Sequence, residues 1–252
     1  PDKDYANASG TEISQGIHQA FRNLGYTDFG AKTMVAEVHR EHGGEFSKEH
    51  GSRRPFGFEW EPSKDHKGQV NFGFINSTGK RTDEIIAALD KEGLVSYDAP
   101  KTAMNPQGIR VANTQRTLDV MAAWYDNDLA TNGARDPRAI IKGADPKELP
   151  TLLRDPNYTD TQDAHRRTAA WIQWQHPEIY GGIYRNGIAG QAHLDGMLAN
   201  RRNLDKILVD NGGKAAPTDD ASIPPEAFED TDEAPSAIAA DVTVFPPPVG
   251  RT

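Results

Sequence analysis

The sequence predicts a mainly helical protein that ends in an extended, acidic, proline-rich arm. Three observations support this prediction. Apolar residues recur at helical spacing in several segments between Thr11 and Val209, whereas alternation with a period of two is confined to short stretches. Glycine follows most of these segments within one to three residues, as is typical of helix ends. After Gly213 the chain changes to proline, alanine, serine and acidic residues, a composition that favours an extended or disordered chain.

Composition divides the 252 residues into three parts. Residues 1–10 are predicted to be a flexible N-terminal arm, residues 11–212 a single helical body, and residues 213–252 the acidic arm. The last part has eight acidic and two basic residues, so it carries −6 of the total charge of −9 and leaves −3 for residues 1–212. A nearly balanced body lacks the basic stripe of a nucleic-acid-binding protein, and no nucleic-acid partner is expected.

Several classes of chemistry are excluded by what the chain lacks. There is no cysteine, so disulfides and thiolate catalysis are excluded. No apolar run reaches the roughly 18 residues that a transmembrane helix needs, so no membrane span is expected. The glycine patterns of phosphate loops and dinucleotide folds are absent, as is Gly-x-Ser-x-Gly. The sequence therefore predicts no cofactor and no serine-based triad.

Two amphipathic helices are predicted near the N-terminus. The first covers Thr11–Leu24 and ends at Gly25, and its apolar face consists of Ile13, Ile17, Ala20, Phe21 and Leu24. The second runs from about Gly30 to His42 and stops at Gly43-Gly44. Its core-facing stripe follows the spacing i, i+3, i+4, i+7 with Ala31, Met34, Val35 and Val38.

The stripe of the second helix continues onto Glu41 and His42, just before the glycine pair. A carboxyl group beside apolar side chains, at the negative end of a helix dipole, is disfavoured in its charged form. A glutamic acid that keeps its proton near neutral pH can act as a general acid on a glycosidic oxygen. The alternative is a Glu41 that points into solvent at a frayed helix end, as most charged residues do.

Glu45–Gly68 is predicted to be a long functional loop or a small β-hairpin. Its aromatic residues Phe56, Phe58 and Trp60 lie among acidic residues, which suits a sugar-binding cleft, but the same alternation is typical of a strand that packs on the core. Val70, Phe72 and Phe74 alternate as a short strand.

Further helices are predicted over Thr82–Lys91, Asn113–Thr131, a short segment near Lys147–Leu153, Thr161–Gln175 and Ile188–Val209. Residues 94–112 are expected to be mostly loop. Trp124 and Tyr125 lie in the segment Asn113–Thr131, and both are expected to pack in the core.

His39 and His42 allow a zinc hypothesis, with Glu45 or Glu49 as a further ligand. Zinc-binding helices space their histidines at i, i+4, however, whereas these two are at i, i+3. The sequence therefore predicts no metal, and His39 is expected on an exposed polar face.

The pattern Ala-x-x-Met-Val-x-x-Val-x-x-Glu-x-Gly, followed by an irregular loop and Asn71-Phe-Gly-Phe-Ile-Asn76, resembles the lysozyme-like peptidoglycan hydrolases. Phage tail lysozymes and lytic transglycosylases carry a Gly-Leu-x-Gln type segment and a Gly-x-Arg where this chain has Gly73-Phe-Ile-Asn76 and Gly79-Lys-Arg81. The resemblance covers about residues 10–95, with its core motifs within 25–95. It departs from the family at His42, which replaces serine, at Asn76, which replaces glutamine, and at Ser77, which replaces an aromatic residue.

The resemblance implies a lysozyme-like helical domain with a small hairpin or loop lobe. It implies cleavage of the β-1,4 bond between N-acetylmuramic acid and N-acetylglucosamine, with Glu41 as the general acid. The substrate-binding residues implied with it are His42, Glu45, Glu49, Trp60, Phe74 and Asn76. The second carboxylate stays open among Glu45, Glu49, Glu59 and Glu61, as does the choice between hydrolase and lytic transglycosylase.

The resemblance also implies a setting in a bacteriophage particle that is made in the bacterial cytoplasm. The expected partners are the cell-wall glycan and, through the 213–252 arm, other proteins of the particle. The alternative is a non-catalytic structural or adaptor protein that retains a decayed lysozyme-like domain, which the departures at His42, Asn76 and Ser77 favour.

Overall fold

The computed structural model describes residues 2–41, 55–60, 70–75, 77, 79–102, 105–133, 145–158, 167, 170–171, 174 and 188–209, with the backbone alone at Glu59, Trp60, Val70 and parts of the last helix. All of them belong to the first of two units into which the chain divides, Pro1–Thr218. The predicted arm over 213–252 lies outside the described residues.

The described part of the chain is mainly helical, which confirms the predicted class. Its α-helices are α1 (Gly10–Asn23), α2 (Asp28–Glu41), α3 (Lys80–Lys91), α4 (Gln115–Asn132), α5 (Leu149–Leu152) and α6 (Ile188–Val209), and a 3-10 helix covers Pro146–Glu148. The short strands β1 (Phe58–Trp60) and β2 (Val70–Phe72) form one antiparallel pair, and β3 (Val95–Ser96) and β4 (Arg110–Val111) form another. No described helix is both long and apolar enough to cross a membrane.

The helix α1 begins with a capping box. The Ser9 hydroxyl accepts a hydrogen bond from the Glu12 backbone N–H, and the Glu12 carboxylate accepts one from the Ser9 N–H at 2.9 Å. This arrangement satisfies backbone donors that the first turn of a helix leaves without partners. The predicted apolar face of this helix is buried, with Ile17, Ala20 and Phe21 fully enclosed.

The segment before α1 is packed on the body, so the prediction of a flexible arm over residues 1–10 is wrong for its described part. The Tyr5 side chain is buried, and its hydroxyl donates a hydrogen bond to Gln115 Oε1 at 2.6 Å. The backbone N–H of Tyr5 donates to Asn113 O, also at 2.6 Å. The Gln115 N–H donates in turn to Lys3 O. One buried aromatic ring and a few backbone hydrogen bonds offset the entropy of ordering this segment, a balance that local composition does not reveal.

An antiparallel strand pair is present, formed by β1 inside the region Glu45–Gly68, for which a loop or a hairpin was predicted, and by β2 inside the separately predicted strand. The aromatic side chains of Phe56 and Phe58 pack in or against the core. Phe58 pairs with Phe72 across β1 and β2, and their ring centroids are 5.0 Å apart. Phe56 is buried and stacks on Tyr5 at 6.1 Å. Of the two interpretations of these aromatics, the packing interpretation therefore holds for Phe56 and Phe58.

The aromatic centre of the core lies around α4. Tyr125 stacks on Phe74 with centroids 5.4 Å apart and meets Trp174 edge-on at 5.9 Å. The apolar stripe predicted for this helix is buried, namely Leu118, Met121, Ala122, Tyr125 and Leu129. The region 94–112, predicted as loop, contributes the two-residue strands β3 and β4. Strands this short produce too little alternation to be recognised in a sequence.

Candidate functional site

The candidate site is organised by α2, which is the most deeply buried helix in the described part of the chain. Every residue from Gly30 to His39 is buried. The sequence predicted one apolar stripe, and that stripe is buried as expected. The remaining faces are buried as well, because α2 packs against α1 and α6. Charged and polar side chains of α2 are therefore enclosed and need partners.

Lys32, near the beginning of α2, is held between two carboxylates. Its Nζ lies 2.9 Å from Asp28 Oδ2 and 3.1 Å from Asp205 Oδ1 of α6, and its side chain is only 5% exposed. His18 Nε2 of α1 lies 3.0 Å from Asp28 Oδ1. We call these four residues the Lys32 cluster. The hydrogen bond from His18, together with that from Lys32, holds the pKa of Asp28 well below its usual range against the opposing effect of burial.

His39 is buried in the contact between α1 and α2, so the expectation of an exposed His39 is wrong. Its Nε2 lies 2.8 Å from the Ser14 hydroxyl, which itself donates to Gly10 O at 2.8 Å. Because a serine hydroxyl has one proton to give, the imidazole must be the donor in the first of these bonds. His39 therefore joins two helices, and it cannot act as a base towards Ser14 in this arrangement.

Glu37, Arg40 and Glu41 form a second charged group at the end of α2, which we call the Arg40 cluster. Arg40 Nε donates to Glu37 Oε2 at 3.3 Å, and Arg40 Nη2 donates to Glu41 Oε2 at 2.9 Å. The side chain of Glu37 is 2% exposed, whereas those of Arg40 and Glu41 are 20% and 17% exposed. One carboxylate of this cluster is thus enclosed, and the other is at the surface.

The helix α6 runs antiparallel to α2 along this whole length. Asp205 contacts Lys32, the Asn200 side-chain amide donates to Ala36 O at 3.3 Å, and Gly196 lies beside Arg40. A Cβ atom on Gly196 would be 3.9 Å from Arg40 Cγ, which is ordinary contact distance. The earlier part of α6 therefore lies next to the end of α2 that carries Glu41.

The segment after β2 folds back on itself in a tight turn. The Phe72 N–H donates to Ser77 O at 3.0 Å, and the Ser77 N–H donates to Phe72 O at 2.9 Å. Gly73 has φ +85°, and a Cβ there would lie 2.7 Å from the Tyr125 hydroxyl. Both the backbone conformation and the space at this position require glycine. The Ser77 hydroxyl lies 2.9 Å from the same Tyr125 oxygen, which attaches the turn to α4.

Arg81, the arginine of the Gly79-Lys-Arg81 motif, is a buried link between α3, α4 and Trp174. Its Nη2 donates to Trp174 O at 2.7 Å and lies 3.3 Å from Asp128 Oδ2. The Trp174 indole N–H donates to the same Asp128 oxygen at 2.7 Å. The guanidinium also lies over the Trp174 ring, 4.5 Å from its centroid. This arginine stabilises the framework and does not face a cleft.

The structure places only some of the predicted site residues. Glu41 is the last residue of α2, as predicted, and is half-buried. Phe74 is 1% exposed and packs on Tyr125 and Phe21, so its ring supports the turn and is not available to a sugar. Trp60 is in β1 opposite Val70, and only its backbone is described. Four predicted residues lie outside the described residues, namely His42, Glu45, Glu49 and Asn76.

Sequence reasoning missed three polar residues, two at the end of α2 and one in β2. Glu37 and Arg40 form ion pairs at the end of α2, and their spacing of i, i+3 on one helix could have indicated a contact. Asn71 is buried in β2, and its Oδ1 has no hydrogen-bond partner among the residues that the structure describes. No sequence signal could have found Asn71, because a strand residue on the polar side of an alternation is expected to be solvated.

A groove of about 330 Å³ lies elsewhere, between the N-terminal segment, the start of β1 and β4. Its lining residues include Asp4, Phe56, Phe58, Arg110 and Asn113. Of the predicted site residues whose side chains are described, neither Glu41 nor Phe74 lines it. Within the described part of the chain, no group of histidine and acidic residues could hold a metal ion, while His42, Glu45 and Glu49 of the zinc hypothesis fall outside that part.

Comparison with known proteins adds no relative: no family model matches the sequence, and neither curated proteins nor solved structures give a match. The chemistry of the site therefore has to be argued from its own residues. A half-buried carboxylate at the end of a buried helix can give or accept a proton. A guanidinium beside it can bind an anionic group.

Proposed function

We propose that this protein is a lysozyme-like, peptidoglycan-cleaving glycosidase in which Glu41 is the general acid. The observation that carries the proposal is the position of Glu41 as the last residue of a helix whose preceding residues Gly30–His39 are all buried. A rigid, enclosed helix fixes the place of its terminal carboxyl group, and catalytic groups need such positioning.

The order of elements along the chain supports the same proposal. The buried helix α2 is followed by the β1–β2 hairpin and the tight turn at Gly73, and then by α3, which carries the buried Arg81. This is the order that the resemblance to lysozyme-like hydrolases implies for its motifs. Ser77, which departs from the family pattern, has a structural use here because its hydroxyl attaches the turn to Tyr125.

In the proposed reaction, Glu41 gives its proton to the oxygen that links the two sugars, and the bond between that oxygen and the anomeric carbon breaks. A water molecule, or a hydroxyl group of the sugar itself, then bonds to the anomeric carbon. Its proton returns to Glu41, so the acid is regenerated. Water gives a hydrolase with a reducing end, and the internal hydroxyl gives a lytic transglycosylase with an anhydro end.

The decisive experiment is lysis of purified cell wall by the wild-type protein and by Glu41→Gln. Glutamine keeps the shape but has no proton to give, so lysis should fall by about 10²–10⁴-fold, the usual contribution of general acid catalysis. The matched control is Glu84→Gln, which also removes an ion-paired helical carboxylate, here one bound to Lys80 at 3.3 Å. The control should lyse at the wild-type rate, and full activity of Glu41→Gln would refute the proposal.

One observation favours a second candidate, a non-catalytic structural or adaptor protein of a large assembly. Glu41 is in an ion pair with Arg40, and this pair engages the carboxylate that would have to carry the proton of a general acid. A wild-type protein that lyses no cell wall and gives no cleaved ends would favour this candidate. The proposed setting in a bacteriophage particle, with the 213–252 arm contacting other virion proteins, applies to both candidates.

A further inference from the structure

The Arg40 cluster has one fixed side and one accessible side. Arg40 Nε binds the enclosed Glu37, and the stem of Arg40 packs beside Gly196. Arg40 Nη2 binds Glu41, and both of these side chains are partly open to solvent. The partly exposed side of the cluster is therefore the Arg40–Glu41 pair, while Glu37 contacts the guanidinium from its enclosed side.

Glu41 cannot form the ion pair with Arg40 and donate a proton at the same moment. As a proton donor Glu41 must be neutral, but beside Arg40 it compensates a positive charge. Another anion that takes the place of Glu41 at the guanidinium would release the pair. A planar guanidinium binds carboxylates through parallel N–H···O bonds, so a carboxylate of the substrate is a suitable replacement.

We propose that Arg40 is a substrate-selecting residue, which releases Glu41 for proton donation when a carboxylate of the glycan takes its place. This inference rests on the proposed function and deepens it, because it names the substrate class as an anionic glycan. Muramic-acid-containing glycans carry such carboxylates on the lactyl group or on the stem peptide, whereas a polymer of N-acetylglucosamine is neutral.

The charges balance in this exchange. Before binding, the positive charge of Arg40 faces the negative charges of Glu37 and Glu41. After binding, the substrate carboxylate replaces Glu41 at Nη2, and Glu41 takes a proton from solvent. That proton is then given to the glycosidic oxygen and is recovered from the attacking water or hydroxyl group. Arg40 contacts the substrate but transfers no proton, since a guanidinium stays charged at all relevant pH values.

The first test compares substrates with the wild-type protein and needs no variant. The substrates are a neutral N-acetylglucosamine oligomer, a peptide-free glycan strand with lactyl carboxylates, and intact peptidoglycan. At least one anionic substrate should be cleaved about tenfold faster than the neutral one, the size expected for a single charge-assisted hydrogen bond. A preference for the peptide-free strand identifies the lactyl carboxylate, and a preference for intact peptidoglycan identifies the stem peptide. Equal rates on all three substrates would overturn the inference.

The second test uses Arg40→Gln and Arg40→Lys, with Arg110→Gln as the matched control. Arg110 is also an ion-paired arginine, bound to Asp98 at 3.2 Å. Arg40→Gln should bring the ratio of anionic to neutral cleavage down to about one, because the preference of one charge-assisted hydrogen bond is lost. Arg40→Lys should keep part of the ratio, and the control should keep all of it. Thermal melting of each variant shows whether it is folded before its rates are compared.

Binding to Glu41→Gln separates this inference from the proposed function. With a neutral residue at 41, Arg40 has one competitor fewer, so Glu41→Gln should bind the preferred anionic glycan several-fold more tightly than wild type. The gain should disappear when Arg40→Gln is added. If Glu41→Gln still cleaves the wall, the proposed function fails. If Glu41→Gln is inactive but binds anionic and neutral glycans alike, the present inference alone fails.

Discussion

The two ends of α2 carry similar sets of charged residues, but the two sets are arranged differently. In the Lys32 cluster one enclosed cation lies between two partly exposed carboxylates, and the group connects α1, α2 and α6. In the Arg40 cluster one partly exposed cation lies between an enclosed and a surface carboxylate, all on α2. The first group encloses its cation, whereas in the second group the cation and one of its two carboxylates are partly exposed.

The helix dipole explains part of this difference. Asp28 is at the positive end of α2, where a carboxylate is favoured, and it also accepts hydrogen bonds from His18 and Lys32. Glu41 is at the negative end, where a carboxylate is disfavoured and depends on Arg40. The comparison teaches that the same kinds of residue connect three helices at one end of α2 and pair within a single helix at the other.

The largest expected effect is on activity, and it should be confined to the end of α2 that carries Glu41. Glu41→Gln, which removes the proposed general acid, should lower the rate of cell-wall lysis by about 10²–10⁴-fold. Asp28→Asn removes a carboxylate from the Lys32 cluster, far along α2 from Glu41, and should leave this rate within about twofold of wild type. Lysis is measured at a temperature at which melting curves show both variants folded. A comparable loss in Asp28→Asn would show that the two ends are not separate.

The second-largest expected effect is on stability, and it should be confined to the end of α2 that carries the Lys32 cluster. Lys32→Met leaves Asp28 and Asp205 without their shared cation, and it should lower the free energy of unfolding by roughly 2 kcal/mol, less than for a fully buried pair because both carboxylates are partly exposed. The control is Lys80→Met, where the lysine side chain is 81% exposed and pairs with Glu84. That change should cost less than about 0.5 kcal/mol. Urea denaturation measures the free energy of unfolding of both variants. Equal losses in Lys32→Met and Lys80→Met would contradict the stabilising role of the Lys32 cluster.

The smallest effect is on the pH dependence of stability. Because the pKa of Asp28 is lowered in the folded protein, its contribution is present above the ordinary aspartate pKa of about 4 and is lost as the pH falls below it. The difference in melting temperature between wild type and Asp28→Asn should therefore be full near neutral pH and should narrow as the solution is acidified. A difference that stays constant down to strongly acidic pH would show that Asp28 acts through packing and not through its charge.

Much of the helical framework could be predicted from the sequence, since helix periodicity and glycine stops are local signals. The predicted helix Ile188–Val209 has the same bounds as α6, and the predicted core stripe of α4 is buried throughout. A loop or a small hairpin was predicted within Glu45–Gly68, and the observed strand pair joins β1 from this region to β2 beyond it. The ordered N-terminal segment was missed because its order depends on contacts between Tyr5 and residues more than a hundred positions away.

The candidate site could be predicted in part. Periodicity placed Glu41 at the end of a buried helix, and the structure has it there. The partner of Glu41 is its own neighbour Arg40, and sequence adjacency does not tell which neighbouring charges turn towards each other. His39 was expected at the surface because α1 could not be foreseen to cover it, and Phe74 was expected at the cleft because its stacking on Tyr125 is a long-range contact.

The sequence by itself determined the helical class, the course of the main apolar stripes and the place of a carboxylate at the end of α2. These properties follow from side-chain spacing on a helix, which is a local matter. The tertiary structure alone decided that α2 is enclosed on all sides, that Lys32 is clamped between two helices and that Arg40 connects an enclosed carboxylate to a surface one. Such properties depend on which distant segments cover a residue, because burial turns an ordinary surface charge into one that must have a partner.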